Sequence, residues 1–228
     1  MSIPLLELAA SKLGVLADEL VFVGGATIAL WITEPAVPPT RATDDVDVIC
    51  DVAGYARYQA LSERLRDQGF AEDEASGVIC RWRHADGVTL DVMPSDEKIL
   101  GFSNRWYPRA IEVALEQTLP SGRAIRAVSP PLVVATKLEA WRGRGRGDVL
   151  RSLDVHDIVA LVDGRPELAD EVASEREDVR EAVREGLEGL LALSYVDYVI
   201  ESAVAGYGAA AGRRAEIVRE RLERLTST

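Results

Sequence analysis

The stretch "TRATDDVDVIC", residues 40–50, decides how this chain is read. Asp45 and Asp47 alternate with Val46 and Val48, and Ile49 and Cys50 follow. That two-residue period belongs to a β-strand, which turns both carboxylates to one face and both valines to the other. A carboxylate on a strand facing a core is costly unless it is paired or bound to a metal. The run "TLDVM", 89–93, repeats the pattern, with Asp91 between Leu90 and Val92. If the two strands are neighbours, three carboxylates converge. A divalent cation relieves their repulsion, and hard oxygen donors suit Mg²⁺ or Mn²⁺.

Working outward, "LVFVGG", 20–25, reads as a short strand that ends in Gly24 and Gly25, and "ATIALWI" continues as a helix. The prolines of "TEPAVPPT", 33–40, break it. An apolar stripe of Leu5, Leu6, Leu13 and Leu16 predicts a helix over 3–17, and "AGYARYQALSERLRDQG" predicts another that stops near Gly69. "GVICRWRH" and "VTLDVMP" flank "ADG", an Asp-Gly hairpin signal. "TLPSGRAIRAVS" predicts a second hairpin around Ser121 and Gly122. From Pro130 onward the pattern is helical, interrupted by "RGRGRGD", 142–148. The expected class is α+β: a mixed sheet flanked by helices over 1–129, then an all-helical region over 130–228.

Composition sets outer bounds. The chain has 228 residues, 47% of them apolar, enough to bury a core without staples. Its net charge of −12 argues against a general nucleic-acid-binding surface. Cys50 and Cys80 sit in apolar runs and read as reduced core thiols of a cytoplasmic protein. The N-terminus lacks a basic n-region, and no apolar run approaches the ~18 residues of a membrane span, so no membrane role is expected. The tryptophans 31, 82, 106 and 141 read as core or cleft wall.

The acids and glycines point to one chemistry. Two divalent ions about 4 Å apart can clamp an in-line phosphoryl or nucleotidyl displacement. A glycine pair between a strand and a helix leaves backbone N–H groups and a helix N-terminus suited to phosphate. Asp-x-Asp alone, or Gly-Gly alone, is weak. The order strand, Gly-Gly, helix, Asp-x-Asp strand, Asp strand is far more specific.

That order, "VGGATIALWI…TRATDDVDVI…TLDVM", resembles the nucleotidyltransferase superfamily with the polymerase-beta-type fold. Within it, "GGATIAL" followed by Arg41, Thr43, Asp45 and Asp47 looks like the AbiEii/AbiGii toxin-type nucleotidyltransferases. The downstream "ATKLEAWRGRGRGDVLRSLDVHDIVAL" is similar to that group's second signature, with Lys137, Asp154 and Asp157 in its places. The likeness covers roughly residues 20–165. It implies transfer of a nucleoside monophosphate from an NTP to an acceptor, with Mg²⁺ or Mn²⁺, in a toxin–antitoxin-like system. The acceptor would be a tRNA, and an antitoxin protein the partner. Asp45, Asp47 and Asp91 would hold metal, with Asp91 the base. Gly24, Gly25, Arg41 and Thr43 would serve the nucleotide. Lys137 would reach the triphosphate or an intermediate, with Asp154 and Asp157 lining the far wall or orienting it. Two other readings stay open: a small-molecule or protein nucleotidyltransferase of the antibiotic-modifying kind, and a non-catalytic relative that binds nucleotide or a partner.

Overall fold

The computed structural model describes residues 2–35, 37–38, 41–52, 54–143 and 149–227. The chain divides into two compact units, one of residues 1–30 and 41–129, the other of 31–40 and 130–228. The first is α+β and the second is helical.

Seven strands of the first unit form one mixed sheet. They are β1 (Leu20–Val23), β2 (Val46–Cys50), β3 (Phe70–Glu72), β4 (Arg81–His84), β5 (Thr89–Pro94), β6 (Leu115–Thr118) and β7 (Ala124–Ala127). Their order is β3-β4-β5-β2-β1-β7-β6. The β2–β5 and β1–β7 pairs are parallel. The other neighbours are antiparallel, including the central pair β1–β2. All four residues of β1 are buried, as a central strand covered on both faces requires. Burial of a side chain such as Leu20 or Phe22 contributes roughly 1.5–3 kcal/mol.

Helix α1 (Ser2–Leu13) is shorter than the expected 3–17. Its apolar residues Leu6 and Leu13 are buried, and residues 14–18 tighten into a 3₁₀ turn that buries Leu16. Helix α2 (Tyr55–Asp67) follows β2 and is tied to β5 where the Tyr58 hydroxyl donates to the Val92 carbonyl at 3.0 Å. Two short helices, α3 (Glu97–Leu100) and α4 (Tyr107–Glu112), follow β5. Both hairpins form. His84 N–H donates to the Val88 carbonyl at 2.9 Å, and Leu119 N–H donates to the Arg123 carbonyl at 2.8 Å.

The segment after Gly24 is helical as expected, in the tighter form: residues Gly25–Leu30 are a 3₁₀ helix. The N–H and hydroxyl of Thr27 both donate to the Gly24 carbonyl, at 3.2 and 2.8 Å, and this closes an i to i+3 turn. Six residues of 3₁₀ helix carry little of the macrodipole expected there.

The helical unit contains α5 (Pro130–Gly143), α6 (Leu153–Gly164), α7 (Leu168–Ala173), α8 (Glu177–Leu191), α9 (Val196–Val204) and α10 (Ala211–Thr226). On α8, Val179, Ala182, Val183, Gly186, Leu187 and Leu190 make the buried stripe, and the Glu/Arg positions face outward. Gly186 lets α8 approach α5: a Cβ there would lie 2.5 Å from a Leu138 methyl. The division at 129/130 is modified by one insertion, because residues 31–35 pack with the helical unit. Thr33 and Glu34 N–H groups both donate to the Gly164 carbonyl, at 2.9 and 3.0 Å, and so satisfy the C-terminal end of α6. Arg165 donates to the Trp31 carbonyl, and Arg221 pairs with Glu34 at 2.8 Å.

Candidate active site

Asp47 on β2 and Asp91 on β5 are direct partners in the parallel register, so both side chains leave the same face of the sheet. Asp45 stands one residue before β2. Arg81 on β4 is the antiparallel partner of Asp91 from the other side. Its guanidinium forks onto the acids. Nε donates to Asp91 Oδ1 at 2.8 Å, and Nη2 donates to Asp91 Oδ2 and Asp45 Oδ2, each at 2.8 Å. The other Asp45 oxygen accepts from the Thr43 hydroxyl at 3.0 Å. The hydrogen bonds to Asp91 hold the Arg81 guanidinium above its ordinary range, against the opposing effect of burial.

Gly24 completes this corner. Its φ is +79°, and a Cβ built on it would lie 1.9 Å from Asp47 Oδ2. What the missing side chain makes room for is therefore the Asp47 carboxylate itself. Cys80, next to Arg81, is buried. Burial chiefly, with Asp91 and Asp47 adding, pushes its thiol up to about 12. Gly25 opens the 3₁₀ helix, and the Arg41 side chain donates to the Ala42 carbonyl at 3.4 Å.

A second charged cluster belongs to the helical unit. Ser152 caps α6 by accepting from the Val155 N–H, and the first turns of α6 carry Asp154 and Asp157 on one face. Lys137 of α5 reaches both: Nζ is 2.7 Å from Asp157 Oδ2 and 3.3 Å from Asp154 Oδ1. Residues 144–148 of the arginine–glycine stretch lie outside the described residues.

Whether the sheet acids fit a metal is decided by their donor set. The donors are three carboxylates, all hard oxygens, and the Arg81 guanidinium bridges two of them. A tethered cation already occupies the place between Asp45 and Asp91. Among the described residues no three His, Cys, Asp or Glu side chains are placed to hold a metal ion. The carboxylates are the hard donors a divalent cation takes, and two of them are engaged by the Arg81 guanidinium.

A family model described as "Nucleotidyl transferase AbiEii toxin, Type IV TA system" matches residues 8–195. The chain belongs to the AbiEii family. It is accordingly a nucleotidyl transferase of a toxin–antitoxin type, as the glycine and aspartate pattern led one to expect. No curated protein matches it. Among the described residues of this AbiEii chain, no single helix is long and apolar enough to cross a membrane.

One residue of this AbiEii site was missed in the sequence. Arg81 carries no motif of its own, yet the hairpin register gives it away. With His84 closing onto Val88 across the Asp86-Gly87 turn, counting back pairs Arg83 with Thr89, Trp82 with Leu90 and Arg81 with Asp91.

Proposed function

We propose that this AbiEii-family transferase moves a nucleoside monophosphate from an NTP to a hydroxyl group of a tRNA, using Mg²⁺ or Mn²⁺ held by Asp45, Asp47 and Asp91. The observation that supports it best is the β2–β5 register, which puts Asp47 beside Asp91 with Asp45 joined to Asp91 through Arg81. The acceptor oxygen bonds to the α-phosphorus, the α–β phosphoanhydride bond breaks, and pyrophosphate leaves with the bonding pair. Asp91 takes the hydroxyl proton, as the most buried of the three acids. Thr43 and Gly24 fix the other two carboxylates, by a hydrogen bond and by making space. The bound cation supplies Lewis-acid stabilisation of the charge that develops on the phosphate oxygens. Lys137 is assigned to the triphosphate or an intermediate by family pattern, as are Gly25, Arg41, Asp154 and Asp157 to the nucleotide.

With a net charge of −12, a tRNA acceptor would need a local basic patch, because the field of the whole surface opposes it. The toxin–antitoxin family implies an antitoxin partner, and with NTP and tRNA as its substrates the proposed reaction would run in the cytoplasm.

The test is incubation of the full chain with each α-labelled NTP and a fractionated cell extract. Label is expected in the tRNA fraction, with Asp91→Asn slower by about 10²–10⁴-fold. Label confined to protein or small molecules would move the acceptor and keep the transferase. Wild type that labels no fraction, at any divalent cation concentration, overturns the reading.

A further inference from the structure

Resting on the metal-dependent reading above, and concerning how that same site is controlled, we propose that Arg81 is a built-in competitor for the divalent cation. It ties Asp91 to Asp45 and has to leave them before the cation binds. Three observations carry this. First, the oxygens it engages are the ones a cation would need. The fork takes Oδ1 and Oδ2 of Asp91 and Oδ2 of Asp45, each at 2.8 Å. A Mg²⁺ ion sits at about 2.1 Å from its oxygens, so ion and guanidinium cannot share those lone pairs without bringing two positive charges into contact. Second, the competitor is permanent. Arg81 faces Asp91 across the β4–β5 ladder, so the register delivers it to the acids whenever the sheet is formed. Third, the lock can open. The Arg81 side chain keeps 22% of its exposure, and Asp45 keeps 33%, so the guanidinium has a route to water. Arg83, two residues further along the strand and on the same face, is engaged elsewhere: it pairs with Asp73 at 2.6 Å.

A binding site that is free in only a fraction of molecules shows an affinity lowered by that fraction. The full chain, stripped of metal, is titrated with Mn²⁺ and free ion is followed by EPR. Wild type, Arg81→Gln, Arg81→Lys and Asp91→Asn are compared. Arg81→Gln is expected to bind Mn²⁺ about tenfold tighter or more than wild type. Arg81→Lys keeps the charge and loses the fork, and is expected to lie between the two. Asp91→Asn is expected to bind far more weakly than wild type. Arg81→Gln that binds no tighter than wild type, or Arg81→Lys that matches wild type, overturns the competitor role and leaves the metal site standing. No Mn²⁺ bound by wild type or either Arg81 variant, with the fold intact by circular dichroism, overturns the metal reading as well. A measurement on wild type alone guards against a variant that fails to fold. The Arg81 Nε–H NMR signal is expected to leave its hydrogen-bonded position as Mg²⁺ is added. A signal that stays in place at saturating Mg²⁺ overturns the proposal.

Discussion

The sheet unit and the helical unit each hold one basic side chain between aspartates, and burial separates the two arrangements. Arg81 is 22% exposed, with Asp91 at 11% and Asp45 at 33%. Lys137 is 12% exposed, with Asp157 at 3% and Asp154 at 5%. A deeply buried pair is hard to dissolve, because removing one partner strands a charge away from water. A pair that touches water loses less, since solvent takes over the freed group. The sequence spacing matches this division. The helical cluster comes from two adjacent helices, whereas the sheet cluster draws on a loop and three strands. Lys137 is thus built to stay, and Arg81 is built to exchange.

The largest expected effect tests that contrast directly. Lys137→Met removes the ammonium that bridges Asp154 and Asp157, and breaking a buried pair costs about 3–5 kcal/mol. Arg81→Gln is expected to cost clearly less in the same urea denaturation series, because Asp45 and Asp91 lie nearer to water. Equal losses for the two substitutions would break the distinction between a permanent pair and an exchangeable one.

Gly24→Ala sharpens the sheet side. The left-handed backbone alone costs an ordinary residue roughly 1–2 kcal/mol. The new methyl also falls on the Asp47 carboxylate, which has to swing off Gly24. Mn²⁺ affinity is therefore expected to drop by more than the stability loss would suggest, while the Lys137 cluster keeps its thermal behaviour. A variant that binds Mn²⁺ like wild type would show that Asp47 does not need its place against Gly24.

The parts of this architecture that were legible in the sequence are those where one residue type has one cheap explanation. Alternating acid and valine at 45–48 gave β2, the Asp-Gly turn gave β4 and β5, and both hairpins form as expected. Gly24 was legible as a special backbone position, and the side chain its missing Cβ makes room for is that of Asp47. Strand β3 was not, because three residues after a glycine carry no period. The helix after Gly24 was legible but its 3₁₀ form was not, since helical patterning does not show the i to i+3 turn that Thr27 closes onto the Gly24 carbonyl. The placement of 31–35 in the helical unit was hidden too. It depends on the Gly164 carbonyl and Arg221, more than 100 residues away along the chain. Arg81 was missed because arginine on a strand is common, and only its register with Asp91 makes it part of the site.

The smallest effect calibrates the helical side, at a pair that touches water. The Arg221 hydrogen bond, with Arg214 adding and burial opposing, holds the Glu34 carboxyl below its ordinary value of 4.5. A carboxylate lowered by folding binds fewer protons in the native state than in the unfolded chain over that interval. Stability from this pair is therefore fully present above the ordinary value and is lost as pH falls through the lowered one. Glu34 keeps 23% of its exposure, so the contribution is expected to stay under about 1 kcal/mol. The urea midpoints of wild type and Glu34→Gln should differ slightly at pH 7 and converge as the pH drops below the ordinary glutamate range. A gap that persists unchanged in acid would mean that the carboxylate charge is not what binds residues 31–35 to α10. A gap as large as that of Lys137→Met would mean that exposure does not rank these ion pairs, and the contrast between the two clusters would have to be drawn from geometry alone.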